Sequence, residues 1–561
     1  MKLNKIIFAF AAGLVFAACS DIDKVAPESG TVLKSQLQEI YAAMPQRAEA
    51  AFNGMFTDLG YPTKLYNTPD DWEFLMILFC NDAESADLVT NDNNYNWFSV
   101  CGEYSSRAST YRNPAIRYRA PYLMISSVNT FLSGYDESDP ELTDNAKAMI
   151  AQAKCLRAYS YMLVAPQYQF APNTMVKAEG KYGRDLPCVP INKGNDDIDF
   201  AHNARATVGE IYDFVLEDLN AAIIGLEGYT RPAKKYIDQQ VAYGLRARVN
   251  LLLGNWQAAY DDAAKAAEGY TPATPAELAH PAFMDIEKEN NWLWGYDMSS
   301  DLPQNVQSNG LYATTSGWLR SFSGNSYSAA VDCYAKINKM LWNMIPDTDV
   351  RKGWWVDENL YSPLLEGLTW ATETAGSASG QDIATFKYDD KVEFNPYTNV
   401  KFGCLTLGTI TNDEDMPLMR VEEMLLIQAE AQANLGNDAR AQEIVTNFVK
   451  TYRDPEYVFN AHGLTTLDEI WYQRRVELWG EGFGVTDALR LDKPICRWTG
   501  KASATNWPDK FRFNIDSQDP WLLMRFPQGE TNTNFGIVDN TGGKQPEIDM
   551  NPTLKDGVTA K

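Results

Sequence analysis

Arg420-Val421-Glu422-Glu423-Met424-Leu425-Leu426-Ile427-Gln428-Ala429-Glu430-Ala431 opens an apolar helical pattern over 418 to 435, which meets Gly436 and resumes over 437 to 451. Ala429 lies seven residues before Gly436, and Ala441 five after it. The same spacing recurs upstream as Ala247, Gly254 and Ala259, between helical patterns at 238 to 253 and 255 to 268. Small residues let two antiparallel helices approach closely, and a glycine supplies the left-handed conformation that ends the first of them. The chain therefore carries at least two helical hairpins built on one plan.

Working outward, the segment 144 to 164 shows apolar residues at helical spacing after Asp144 and is expected to stop before Pro166. The stretch 207 to 226 repeats that logic, with Thr207 as cap, Glu210 three residues on as a capping box, and Gly228 to end it. The Ala-x6-Gly-x4-Ala hairpins resemble tetratricopeptide units, and these two helices can supply parts of further ones. Between 285 and 410 the texture changes to Gly, Ser, Asn, Asp and aromatics, with helical period only near 331 to 345. Long irregular insertions of this kind are usually functional. The expected fold is mostly α, a tetratricopeptide-like α-α superhelix with long irregular loops and a few short strands.

Three ordered motifs in the last quarter carry a family resemblance. The Arg420–Ala431 segment resembles the RYAEVLLMYAEA-type helix of SusD/RagB proteins. Leu467-Asp468-Glu469-Ile470-Trp471-Tyr472-Gln473-Arg474-Arg475-Val476-Glu477-Leu478-Trp479-Gly480-Glu481-Gly482 resembles their I…ERR.EL..EG signature, and Phe526-Pro527-Gln528-Gly529-Glu530-Thr531-Asn532-Thr533-Asn534 their P.P..E...N stretch. Upstream, Ala153 to Tyr159 is similar to the A.FLRAY helix and Gly254-Asn255-Trp256 to the G.W turn. Phe483-Gly484-Val485-Thr486-Asp487 departs from the usual RWFDL, which bears on local packing. Physically, Arg474, Arg475, Glu477 and Glu481 suit an ion-pair network joining repeat units better than ligand contact.

The resemblance implies a rigid helical back, a ligand face of variable loops, and a TonB-dependent outer-membrane barrel of the SusC type as partner. Its cargo would be glycans, or peptides in some branches. The chemistry it implies is capture, without catalytic residues or cofactor. The implied SusD-like domain covers 36–561.

The amino terminus fits an exported protein. Lys2 and Lys5 precede an apolar run from Ile6 to Phe16, then Ala17-Ala18-Cys19. This is the pattern of a secretory signal over 1–18, too short to span a bilayer comfortably. A Cys after two small residues resembles a lipobox, so Cys19 is expected to be acylated, with 19–35 as a tether and the outer membrane as the location. The net charge of −25 argues against nucleic acid and against docking on anionic lipid through a basic patch. Beyond Cys19 seven cysteines remain, an odd number with no CxxC pair, and only three histidines. A zinc site is thus not expected, and the thiols read as small buried hydrophobes, at least one of them unpaired.

Sugar recognition needs flat apolar faces for the rings with amides and carboxylates for the hydroxyls. Two segments combine these. Asn94, Tyr95, Asn96 and Trp97 follow Trp72 and Asp82; Trp292, Trp294 and Tyr296 are followed by Asn309, Tyr312 and Trp318. The competing reading for each aromatic is core packing. A peptide cargo and a glycan-hydrolysing carboxylate pair are the rival functions, although no nucleophile elbow, phosphate loop or HExxH helix occurs.

Overall fold

The computed structural model describes residues 34–61, 64–66, 68–92, 96–194, 198–279, 281–298, 318–319, 333–366, 387–388, 392–393, 395–403, 405 and 414–561. The leader 1–18, Cys19 and the tether as far as residue 33 lie outside them. Twelve helices of seven or more residues are described. They are α1 Lys34–Ala43, α2 Pro45–Thr57, α3 Glu73–Ala83, α4 Arg112–Ser133, α5 Asp144–Tyr168, α6 Val208–Gly225, α7 Gln239–Leu253, α8 Trp256–Ala267, α9 Val421–Asn434, α10 Asp438–Tyr452, α11 Thr466–Glu477 and α12 Gly484–Arg490.

The two hairpins form as the spacing predicts. Gly254 and Gly436 sit at φ 76° and 80°, the left-handed region, directly after or near the ends of α7 and α9. Ala247, Ala259, Ala429 and Ala441 are all fully buried at the helix contacts. Because α8 packs against α9 as closely as against its own partner α7, the hairpins stack into one array, which α4, α5 and α6 extend on one side and α10 and α11 on the other. Arg157, in the A.FLRAY segment of α5, grips Asp218 of α6 through two bonds of 2.8 and 2.7 Å. Thr207 and Glu210 make the expected capping box.

Several boundaries differ from the sequence reading. Thr143, not Asp144, caps α5. The helix also continues through Pro166 to Tyr168, because the buried Tyr168 ring packs 4.6 Å from Phe526 and its hydroxyl donates to the Pro114 carbonyl at 3.2 Å. Residues 416–420 are strand rather than helix, and near 331 to 345 only Lys339–Trp342 is α-helical. The tether gives way to α1 at Lys34.

Two five-residue strands, β1 Trp292–Tyr296 and β2 Met416–Arg420, pair antiparallel with an irregular register and are buried throughout. The other strands are two residues long and paired two by two. Cys80, Cys101, Cys155, Cys188 and Cys496 are buried free thiols, Cys333 is also buried, and Cys404 lies outside the described residues. Beside the departure at Phe483–Asp487, a partly open cavity of about 160 Å³ lies between α3, α5, α7, α9 and α12, lined by Phe483, Val485 and Asp487 among others.

The signature arginines and glutamates bind the fold together. Glu477, at the end of α11, accepts from Arg420 at 3.0 Å, from Arg453 at 2.8 and 2.9 Å, and from Arg351 at 3.3 Å. Glu481 accepts from Arg420 twice at 2.8 Å and from Lys401 at 2.7 Å. Glu422 closes the group with Arg453 at 2.9 Å, and Asp349 holds Arg351. Four cations and four carboxylates are thus gathered, all buried, with no net charge. Arg474 and Arg475 turn elsewhere, to Asp487 and to Asp87 with Asp556. Lys401 is pushed down to about 8 by burial, against the pull of Glu481.

Candidate functional site

The first candidate segment folds around a short loop that precedes α3. Asp71 accepts the backbone N–H groups of Leu65, at 2.9 Å, and of Tyr66, which fixes the loop. Burial raises its carboxyl to about 6 despite those bonds. The Pro69 carbonyl then accepts two indole N–H groups, Trp72 at 2.6 Å and Trp318 at 3.2 Å. Phe98 stands edge-on to both rings, 5.5 Å from Trp72 and 4.6 Å from Trp318, with Phe79 beneath. Trp72 and Trp318 are therefore brought together, as part of the core. They offer no face to a ligand, because their N–H groups and ring edges are consumed by this cluster.

Trp97, the neighbour of Phe98, is half-buried and packs against the edge of this core. The Arg112 guanidinium lies 4.7 Å from its ring centroid, and Asp70 holds that guanidinium at 2.9 and 3.3 Å. An Arg on an indole is a favourable cation–π pair and keeps the ring orientation fixed. Tyr111, at the start of α4, is about half exposed. Lys510 bridges to Glu103 and, at 3.4 Å, to Asp92. Beside this indole stand a guanidinium and the carboxylate that holds it, groups that can meet hydroxyls.

The other expected contacts lie elsewhere. Asn96 is buried, its amide donating to the Asn91 carbonyl at 2.6 Å and accepting from the Phe98 N–H at 3.0 Å. Asp82 is a structural tie: it accepts from the N–H groups of Gly482 and Gly484, each at 2.8 Å, and burial raises it to about 7. A Cβ at Gly484 would stand 2.6 Å from Ser85 Cβ and 2.8 Å from Asp82 Oδ1, so the close approach requires glycine. Trp292, Trp294 and Tyr296 belong to β1 and are buried. Trp294 donates to the Lys235 carbonyl at 2.9 Å and packs edge-on to Tyr159 at 5.2 Å, while Tyr296 donates to the Thr57 carbonyl at 3.1 Å. Their burial on both faces of the strand differs from the expected stacking platform. Asn94, Tyr95, Asn309 and Tyr312 lie outside the described residues.

Arg112 and Asp70 escaped the sequence reading. Asp70 stands two residues before Trp72, a weak hint, but nothing in the sequence brings Arg112 to Trp97.

Two family models match consecutive parts of the chain: a SusD-like model described as starch-binding, associating with the outer membrane, over residues 63–251, and the SusD family model over 285–542. The chain belongs to the SusD/RagB family. Solved SusD-like structures share its fold. A SusD-like carbohydrate binding protein from Bacteroides vulgatus is 22% identical with a TM-score of 0.65, over 88% of this chain and 97% of that one. A SusD superfamily protein from Bacteroides thetaiotaomicron is 19% identical at 0.63, over 88% and 99%. A laminarin binding SusD-like protein is 18% identical at 0.60, over 89% and 99%. No curated protein sequence matches the chain. SusD-family proteins are non-catalytic binding proteins associated with the outer membrane, so this member is a binding protein and not an enzyme.

Proposed function

We propose that the protein captures oligosaccharides or polysaccharides at the outer membrane, held there through acylated Cys19 and facing outward, and passes them to a SusC-like TonB-dependent transporter. One observation supports the ligand site above the others. Trp97 is the half-buried indole of the candidate set, braced by Arg112 and Asp70 on top of a closed aromatic core. A stiff indole beside a guanidinium and a carboxylate suits a pyranose, which stacks with one face and bonds through its hydroxyls. Asn94 and Tyr95, adjacent in sequence, are proposed to contribute amide and ring contacts. Peptide cargo is the second reading; the aromatic-amide makeup of this segment favours sugar.

The test is a glycan array and a peptide library probed with the protein lacking residues 1–19, alongside Trp97→Ala. Expected is a glycan hit that Trp97→Ala weakens by about tenfold or more, corresponding to at least ~1.4 kcal/mol, at an unchanged melting temperature. Peptide hits alone, or a glycan bound equally well by Trp97→Ala, would overturn the reading. Purification of the full chain in mild detergent should recover a large β-barrel with it.

A further inference from the structure

Four residues beyond Trp97, the short turn Ser99–Gly102 carries Cys101, whose Sγ lies 3.4 Å from the Sγ of Cys80 on α3. Both thiols are fully buried and free. A disulfide requires about 2.05 Å between sulfurs, so small side-chain rotations would close the gap. The Arg117 guanidinium reaches Cys101 Sγ at 3.3 Å, and the same nitrogen holds Glu84 at 2.5 Å. The turn itself is held by Arg497, which donates to the Gly102 carbonyl, and by the Phe511 ring, which leaves no room for a Cβ at Gly102.

We propose that Cys80 and Cys101 form a structural disulfide in the exported protein. The inference rests on the export expected from the leader, since disulfides persist in oxidising compartments and rarely in the cytosol. The oxidant is a disulfide, supplied by an envelope thiol oxidoreductase or a small molecule. One cysteine thiolate attacks it to give a mixed disulfide, and the second thiolate then displaces the reduced partner. The two thiols lose two electrons and two protons, and the oxidant's disulfide is reduced to two thiols. Because both sulfurs are buried, the exchange precedes the docking of α3 against the turn. The bond ties α3 to the turn that follows Trp97 and so braces the segment proposed to meet the ligand.

The full chain isolated from the cell envelope, denatured and alkylated without reduction, is digested and mapped by mass spectrometry. Expected is a linked peptide pair containing Cys80 and Cys101 that separates on reduction, with Cys155, Cys188, Cys333, Cys404 and Cys496 alkylated. Alkylation of both Cys80 and Cys101 in that sample would overturn the proposal, as would a link from either to another cysteine. A second arm needs no variant. Reduced chain made in the cytosol without residues 1–19 should stay reduced when oxidised glutathione is added to the folded protein, yet acquire the link when refolded in its presence; absence of the link after refolding counts against it. Reduction should also speed amide hydrogen exchange at 96–102, and unchanged exchange there would remove the bracing role. Glycan binding is scored separately, so a missing disulfide with Trp97-dependent binding defeats only this inference, and the reverse outcome only the functional one.

Discussion

Replacing Glu477 by Ala tests whether the buried ion network holds the helical array together. Glu477 faces Arg351, Arg420 and Arg453 at 2.8 to 3.3 Å, and all four side chains are excluded from water. The set of eight charges is neutral, so removing one carboxylate leaves an uncompensated positive charge in the interior. Breaking a buried pair from one side costs about 3–5 kcal/mol. Unfolding entropy near the melting point is about 2 cal/mol/K per residue, so for a chain of this length the loss corresponds to a drop of only ~3–5 °C. Urea unfolding is therefore the more sensitive assay, with calorimetry beside it. Glu477→Gln keeps the shape and some acceptor capacity and should lose less. A double variant that also replaces Arg453 by Met restores neutrality and should fall short of the sum of its singles by about 0.5–3 kcal/mol. Burial would push the Glu477 carboxyl up, yet Arg453, Arg420 and Arg351 hold it well below the usual carboxylate range. Its contribution is therefore complete at neutral pH and erodes only as pH falls below 4.5, the ordinary value. A Glu477→Ala protein within about 1 kcal/mol of wild type would refute the reasoning, since single surface changes already reach ±0.5 kcal/mol.

Glu73 should behave with the opposite sign: burial raises it from 4.5 to about 8, so its contribution to stability is full below pH 4.5 and lost as pH rises through 8. The wild-type stability relative to Glu73→Gln should fall by a few kcal/mol, about 1.4 per pH unit, between pH 5 and pH 8 in urea titrations; parallel curves would show that the carboxyl is not perturbed. Gly484→Ala drives a methyl into Ser85 and Asp82 and should cost about 1–3 kcal/mol, as overpacking does, whereas Gly54→Ala, inside α2 with its Cβ position open, should gain about 0.5–1 kcal/mol. Cys19→Ser should move the protein from the membrane to the soluble fraction in cells lacking the barrel, and continued sedimentation with outer membranes would refute the anchor.

The helical back was legible because its cause is local. An Ala-x6-Gly-x4-Ala spacing encodes close helix approach and a left-handed stop within about twenty residues, and Thr207 with Glu210 encodes a cap within four. The structural role of the signature arginines was also legible, but not their partners: Arg475 meets Asp87, 388 residues away. The aromatics failed for the same reason. Whether Trp318 is a platform or a core residue depends on the Pro69 carbonyl, 249 residues distant, and an Asn-rich, Trp-rich stretch reads alike in both cases. Local composition marked the neighbourhood of Trp97; only the burial of the other indoles distinguishes the one that stays partly exposed.

The strands carry a consequence for a protein associated with the outer membrane. Among the described residues every sheet has just two strands, so each strand is an edge, the usual template for unwanted pairing between chains. Yet all but β1 and β2 are two residues long and present at most a hydrogen bond or two to a newcomer. The longer pair is broken in register and buried at every residue. Such strands give a neighbouring copy almost no ladder to extend, a guard against pairing between chains that adds to the repulsion of a net charge of −25.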